Sequence, residues 1–221
     1  GAVYIRSGDV RVTNCTFYGN YADFVVGGLA NASRSNTVTV NNCILWGNSS
    51  RGRDPEEQQL ALREGDIVMN TCVQFWSGQY GGEGNHGKDP LFLQPTNGNL
   101  RLRAGSPSID AGDNEVVTQE KDLDGNPRIL NDVVDMGSYE SVCDELRSLK
   151  LKCNDDGNLK AKLKTRLPQG STVTLTNSTA KPKVVTINKK GKAKTKWKNQ
   201  SGPTRICPAG CNKPCKQIDC P

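Results

Sequence analysis

The chain has 221 residues, 34% hydrophobic and 24% charged, with a formal net charge of +6 at pH 7. No apolar run approaches the roughly 18 residues of a membrane helix, which excludes a transmembrane helix, and residues 1–8 carry neither the charged start nor the apolar stretch of a signal peptide. Twenty-three Gly, abundant Asn and Thr and only 5% aromatics predict an all-β chain of short strands joined by tight turns.

The first elements repeat. Residues 10–20 lie on residues 38–48 at a constant offset of 28, with Val10/Val38, Val12/Val40, Asn14/Asn42, Cys15/Cys43, Gly19/Gly47 and Asn20/Asn48 identical. A third copy, Ile67 to Trp76, follows at an offset of 29 that keeps its apolar positions and Cys72 in phase. A fixed period of this size signals a solenoid. Alternation at Val10/Val12, Val38/Val40 and Ile67/Met69 is strand periodicity, so the coils are β-coils. Each strand runs into a polar corner, Thr13-Asn14 or Asn41-Asn42, then Cys and a second short apolar strand ending at Gly-Asn. Stacked at a strand spacing of about 4.8 Å, such coils are expected to set Cys over Cys and Asn over Asn. The cysteines then read as small, buried, polarizable fillers and the asparagines as turn residues rather than sugar ligands. Five Asn-x-Ser/Thr patterns, at Asn14, Asn31, Asn48, Asn177 and Asn199, are read mostly as coincidence, with Asn14 at its corner the least suited to a glycan.

Further on, Asp89-Pro90-Leu91-Phe92, Asn97-Gly98-Asn99-Leu100, Gly105-Ser106-Pro107-Ser108-Ile109-Asp110-Ala111-Gly112, Asp122-Leu123-Asp124-Gly125 and Val134-Asp135-Met136-Gly137-Ser138 follow in that order. This run resembles the terminal segment of the choice-of-anchor Q type of bacterial surface β-helix proteins, and with the preceding coils the resemblance covers roughly residues 1–140. It implies a secreted or surface-attached right-handed parallel β-helix closed by this segment, the handedness coming from the resemblance alone. A solenoid normally needs three or more repeats and a cap at each end. A chain opening in mid-coil therefore implies further N-terminal coils or another subunit over the open end.

Catalytic constellations are sparse. Asp110, Asp113, Asp122 and Asp124 are the candidate ligands for a structural Ca²⁺, and no other cofactor is implied. Asp122 to Asn126 lacks EF-hand spacing, and turn carboxylates commonly hydrogen-bond their own backbone. The one histidine, His86, sits in a Gly-rich loop near Glu83 and Asp89, and no G-x-S-x-G motif supplies a nucleophile for it. Nothing here compels an enzyme, and no catalytic residue is assigned.

At Cys143 the charge reverses. Residues 1–142 hold 11 Lys and Arg against 18 Asp and Glu, a net of −7, and residues 143–221 hold 18 against 5, a net of +13. The break reads as a domain boundary between 1–142 and 143–221. Cys143, Cys153, Cys207, Cys211, Cys215 and Cys220 form an even, disulfide-like set; the last four lack a C-x-x-C pair or a nearby His, which argues against zinc. Alternating stretches around 159–167, 173–175, 184–187 and 192–198 predict a small antiparallel sandwich, assigned as immunoglobulin-like. Alternation puts Lys160, Lys162, Lys164 and Arg166 on one strand face and Lys192, Lys194, Lys196 and Lys198 on another, a candidate polyanion-binding surface.

The sequence reading is an extracellular or cell-surface structural or adhesion protein. Its β-helix rod carries a basic domain for self-assembly or acidic glycan binding. Its expected partners are other copies, cell-surface proteins or acidic polysaccharide. Nucleic acid ranks last, because no aromatics interleave with the lysines. The alternative is a fragment of a polysaccharide lyase or glycoside hydrolase with a C-terminal binding module.

Overall fold

The computed structural model describes residues 1–51, 53–130, 132–142, 146–167, 169–208 and 215–221. It is nearly all β and divides into two units, one of residues 1–120 with 128–140 and one of 121–127 with 141–221. The loop 121–127 joins the second unit, where the Thr172 amide donates to Asn126 Oδ1 at 3.4 Å and the Thr172 hydroxyl to the Asp124 carbonyl at 3.3 Å. Among the described residues no helix is long and apolar enough to cross a membrane.

The first unit is built from parallel stacks. Val10–Thr13, Val38–Asn41 and Ile67–Met69 form one stack, in which Val12 pairs with Val40 and Val40 with Val68. Thr16–Tyr18, Ile44–Trp46 and Cys72–Val73 form the second. Val3–Ile5, Leu29–Asn31 and Leu60–Ala61 form the third, just before which the chain inserts the short helix Pro55–Gln59. Inward residues of the three stacks, including Leu29, Val40, Cys43, Leu45, Leu60, Val68 and Val73, make one buried cluster with relative exposures of 0%. Fully burying side chains of this size stabilises by about 1.5–3 kcal/mol each.

The stacking register of the third repeat differs from the expected one by one residue throughout, so that Val68, and not the expected pair Ile67 and Met69, turns into the core, Ile67 being 43% exposed. Every paired position of the first two stacks runs at an offset of 28, so Cys72 lies on Ile44 and Val73 on Leu45. Cys43 therefore meets Thr71, not Cys72. The Thr71 hydroxyl donates 2.8 Å to the Met69 carbonyl, the bond that the Cys15 and Cys43 thiols make to Thr13 and Asn41 at 3.3 and 3.1 Å. Cys72 faces the other side of its strand and is buried in a second cluster with Ile44, Phe92, Leu102 and Met136. The reason is the two-residue period of strands: an offset of 29 would have turned Val73 out of the core.

The corner asparagines Asn14, Asn42 and Asn70 have φ of 54°, 53° and 46°. Asn tolerates this left-handed region better than other non-glycine residues. Their main chains stack, but their side chains reach sideways. Asn42 donates to the Asp113 carbonyl at 2.8 Å, Asn70 to the Ala111 carbonyl at 3.3 Å and Asn14 to Gln119 Oε1 at 3.2 Å. The side-chain ladder forms at the Gly-Asn corner, where Asn20 Nδ2 donates to Asn48 Oδ1 at 2.9 Å and Asn48 Nδ2 to Gln59 Oε1 at 3.0 Å. The segment after Asp89 packs its Phe92–Gln94 and Asn99–Leu102 hairpin over the second cluster. It buries Arg128 against Glu140 at 3.3 Å, with further bonds to the Asp135 and Gly137 carbonyls.

The second unit consists of two antiparallel sheets. One has the order Leu146–Cys153, Leu159–Thr165, Lys192–Trp197; the other runs Lys183–Thr186, Thr172–Asn177, Gly202–Pro208, Lys216–Cys220. Leu149, Leu159, Ala161, Leu163 and Trp197 of the first and Val173, Leu175, Val185 and Ile206 of the second are buried. A Cys153–Cys220 disulfide ties the two sheets, and Cys207–Cys215 closes a shorter loop. Cys143 and Cys211 of the expected disulfide set lie outside the described residues.

Candidate functional site

The lysines that alternation assigned to strand faces meet in register. Leu159–Thr165 is the middle strand of its sheet, and Lys160 lies opposite Lys152 on one side and Lys196 on the other. Lys162 lies opposite Lys150 and Lys194, and Lys164 opposite Ser148 and Lys192. Eight lysines thus share one exposed face, with Leu149, Leu151, Leu159, Ala161, Leu163, Ala193 and Trp197 on the other parity. Strand geometry spaces the lysine Cα atoms about 4.8 Å apart across strands and about 6.8 Å along them.

Sequence reasoning placed Lys160, Lys162, Lys164, Lys192, Lys194 and Lys196 correctly on a face but missed Lys150 and Lys152. The available signal was the alternation Leu149-Lys150-Leu151-Lys152, which lies just before Cys153. Arg166 and Lys198 are exposed but fall one residue beyond Thr165 and Trp197, where their strands end. Trp197 points away from the lysine face: it is 4% exposed and its indole donates to the Lys181 carbonyl at 3.0 Å.

Among the described residues, none of the eight lysines has an ion-pair partner. Five pairs of them stand directly opposite each other. Like charges in that position are destabilising, by about 0.2–1 kcal/mol per pair on the scale of cross-strand effects. Two shallow clefts of about 330 and 300 Å³ run between the lysine stems on this face, one around Lys162, Lys164 and Lys192 and one around Lys160, Lys194 and Lys196. The stems line grooves while the ammonium groups stay in water, which suits a flexible chain of anions laid across the strands.

The other candidate residues go elsewhere. Asp110 and Asp113 belong to the first unit and Asp122 and Asp124 to the second. Asp113 caps a short 3₁₀ turn through the Glu115 amide at 2.9 Å. Asp122 accepts from the Asp124 and Asn126 amides at 2.9 and 2.8 Å, closing its own turn. Among the described residues no group of three or more His, Cys, Asp or Glu is placed to hold a metal ion. His86 extends the second stack through an isolated bridge to Cys72, and burial, then the Lys88 charge, lowers its pKa below the ordinary 6.5. Asp89 accepts from the Leu91 amide at 2.8 Å, and no hydrogen bond joins His86 to a carboxylate among the described residues. Of the five Asn-x-Ser/Thr asparagines, Asn14, Asn31, Asn48 and Asn177 are buried and only Asn199 is exposed. No protein-family model matches this chain, and no curated protein is similar to it.

Proposed function

We propose that this chain is an extracellular structural or adhesion protein in which a right-handed parallel β-helix rod carries a basic, immunoglobulin-like β-sandwich that binds acidic polysaccharide. The observation that carries the reading is the lysine grid, eight cations on one sheet face with five directly opposed pairs and no described counter-ion. A sequence that tolerates such repulsion in its own fold is expected to meet a compensating anion. The two disulfides among the described residues, Cys153–Cys220 and Cys207–Cys215, fit an oxidising, extracellular setting. The parallel stacks and the motifs from Asp89 to Ser138 support the rod and its surface location. Repeating uronates or sulfates suit a flat grid better than nucleic acid does, because the face offers no aromatic platform for bases.

Binding of the whole chain to polygalacturonate, alginate and a neutral glucan, measured at about 0.05 and 0.5 M salt, tests this. Retention of both acidic polymers at low salt only, with no retention of the neutral one, is the expected result. Equal binding to the neutral glucan, or none to either polyuronate at low salt, refutes it. Other copies, whose residues 1–142 carry a net of −7, are the competing polyanion. Light scattering of the glycan-free protein across the same salt series separates them: a monomer throughout favours the glycan, and salt-soluble assemblies favour self-association.

A further inference from the structure

We propose that Cys15 and Cys43 are a peroxide-responsive thiol pair that closes a disulfide between the first two stacked repeats. The register places them face to face: Thr13 pairs with Asn41 and Thr16 with Ile44, so Cys15 lies on Cys43, and the Ile44 amide donates to the Cys15 carbonyl at 2.9 Å. Adjacent strands lie about 4.8 Å apart, inside the window of about 4.4–6.8 Å between Cα atoms that a disulfide accepts. Neither cysteine is bridged in the structure, and their environments are unequal. Cys43 is wholly buried, its thiol donating to the Asn41 carbonyl at 3.1 Å. Cys15 is half-buried and lines a cavity of about 790 Å³ together with Val12, Phe17, Val116 and Gln119, through which a small oxidant reaches it.

The inequality assigns roles. The neighbouring Cys43 thiol, and behind it the Arg128 charge and a backbone hydrogen bond with Thr13, bring the Cys15 pKa from 9.0 down to about 7 despite partial desolvation. Burial pushes Cys43 well above 9.0. The charged and titratable groups around Cys15 are Cys43 on the next repeat, Arg128 and, on the cavity wall, Arg11. A low-pKa, accessible thiol beside a second, resolving thiol is the arrangement redox-sensing cysteines share. Cys72, the remaining free cysteine among those described, is held at about 12 by burial and is turned away from the pair.

The chemistry closes with hydrogen peroxide as oxidant. The Cys15 thiolate attacks one peroxide oxygen, the O–O bond breaks, and the departing hydroxide takes a proton to become water. The Cys43 sulfur then attacks the Cys15 sulfenic acid, the S–S bond forms as the S–O bond breaks, and the Cys43 proton leaves with that oxygen as a second water. Two thiols lose two electrons and two hydrogens, and the peroxide is reduced to two waters. The product staples strands Val10–Thr13 and Thr16–Tyr18, which are edges of their stacks, to the central strands beside them.

The test is a titration of the full chain with hydrogen peroxide, its native disulfides intact, quenched with N-ethylmaleimide and read by peptide mapping. The expected result is a Cys15–Cys43 cross-link with loss of two hydrogens, slower amide exchange across residues 10–18, and Cys72 left as thiol. The rate should rise with pH around a midpoint near 7. In Cys43→Ser, peroxide should leave Cys15 as a sulfenic acid that dimedone traps; in Cys15→Ser, Cys43 should react at least about tenfold more slowly. Over-oxidation of Cys15 without a bridge in the unsubstituted chain, oxidation of all three thiols at one rate, or a midpoint near 9 would overturn the proposal.

Discussion

Replacing Lys162 by Gln probes the lysine face at its centre, since this residue, like Lys160, has lysines directly opposite on both sides, here Lys150 and Lys194. Gln keeps much of the stem that lines the clefts while removing the charge. Losing two opposed like-charge contacts at about 0.2–1 kcal/mol each is a gain of roughly 1 kcal/mol at low salt. Across the strand spacing of about 5 Å, a Debye length of about 30 Å at 0.01 M leaves the repulsion nearly whole, and one of about 3 Å at 1 M reduces it about fourfold. For a unit of this size a gain of 1 kcal/mol raises the melting temperature by about 4–8 °C. Calorimetry at the two salt concentrations, with amide exchange across Leu159–Thr165 assigning the transition, measures the effect, and polygalacturonate retention is followed in parallel. The variant should melt higher at low salt, lose most of that advantage at high salt, and bind the polymer more weakly. A variant no more stable than the parent at 0.01 M, or one that binds polyuronate equally well, refutes the reasoning.

The first unit offers sharper losses. A Cβ on Gly82 would lie 1.7 Å from the Val68 carbonyl oxygen at a φ of +83°, so Gly82→Ala should cost about 1–3 kcal/mol or more, checked by urea unfolding. Leu45→Ala empties a position with 0% exposure and should cost about 2–5 kcal/mol in the same assay. Arg128→Ala leaves the buried Glu140 carboxylate without its guanidinium partner and should cost about 3–5 kcal/mol. His86, with a pKa lowered in the fold, binds its proton less readily than in the unfolded chain. Stability should therefore fall as pH drops through 6.5, and His86→Gln should flatten that slope in melts taken between pH 7.5 and about 5.5.

Much of the architecture was legible because the signals are local. Period-two alternation marked the strands of both units, and the near-repeat of residues 10–20 at 38–48 marked the stacking. The parity of Lys160, Lys162 and Lys164 was equally readable, since successive strand residues face opposite sides whatever the fold around them. Cys72 was misread because its match to Cys43 at an offset of 29 competes with the match of Val68 to Val40 at 28, and core packing chose the latter. The corner asparagines were recognised as turn formers, yet their sideways partners, Ala111, Asp113 and Gln119, lie 41 to 105 residues away and leave no local trace.

The sequence by itself determined that successive strand residues take opposite sides, where the first two repeats fall and where the charge reverses, because these follow from backbone geometry and composition. Only the tertiary structure decided which strands became neighbours. Flanking Leu159–Thr165 with Leu146–Cys153 and Lys192–Trp197 turned two predicted lysine rows into a grid of eight. An offset of 28 put Cys15 on Cys43 and sent Cys72 to a different core. Register between strands is set by hydrogen bonds and packing among residues far apart in the chain, and a slip of one residue exchanges the faces of a strand.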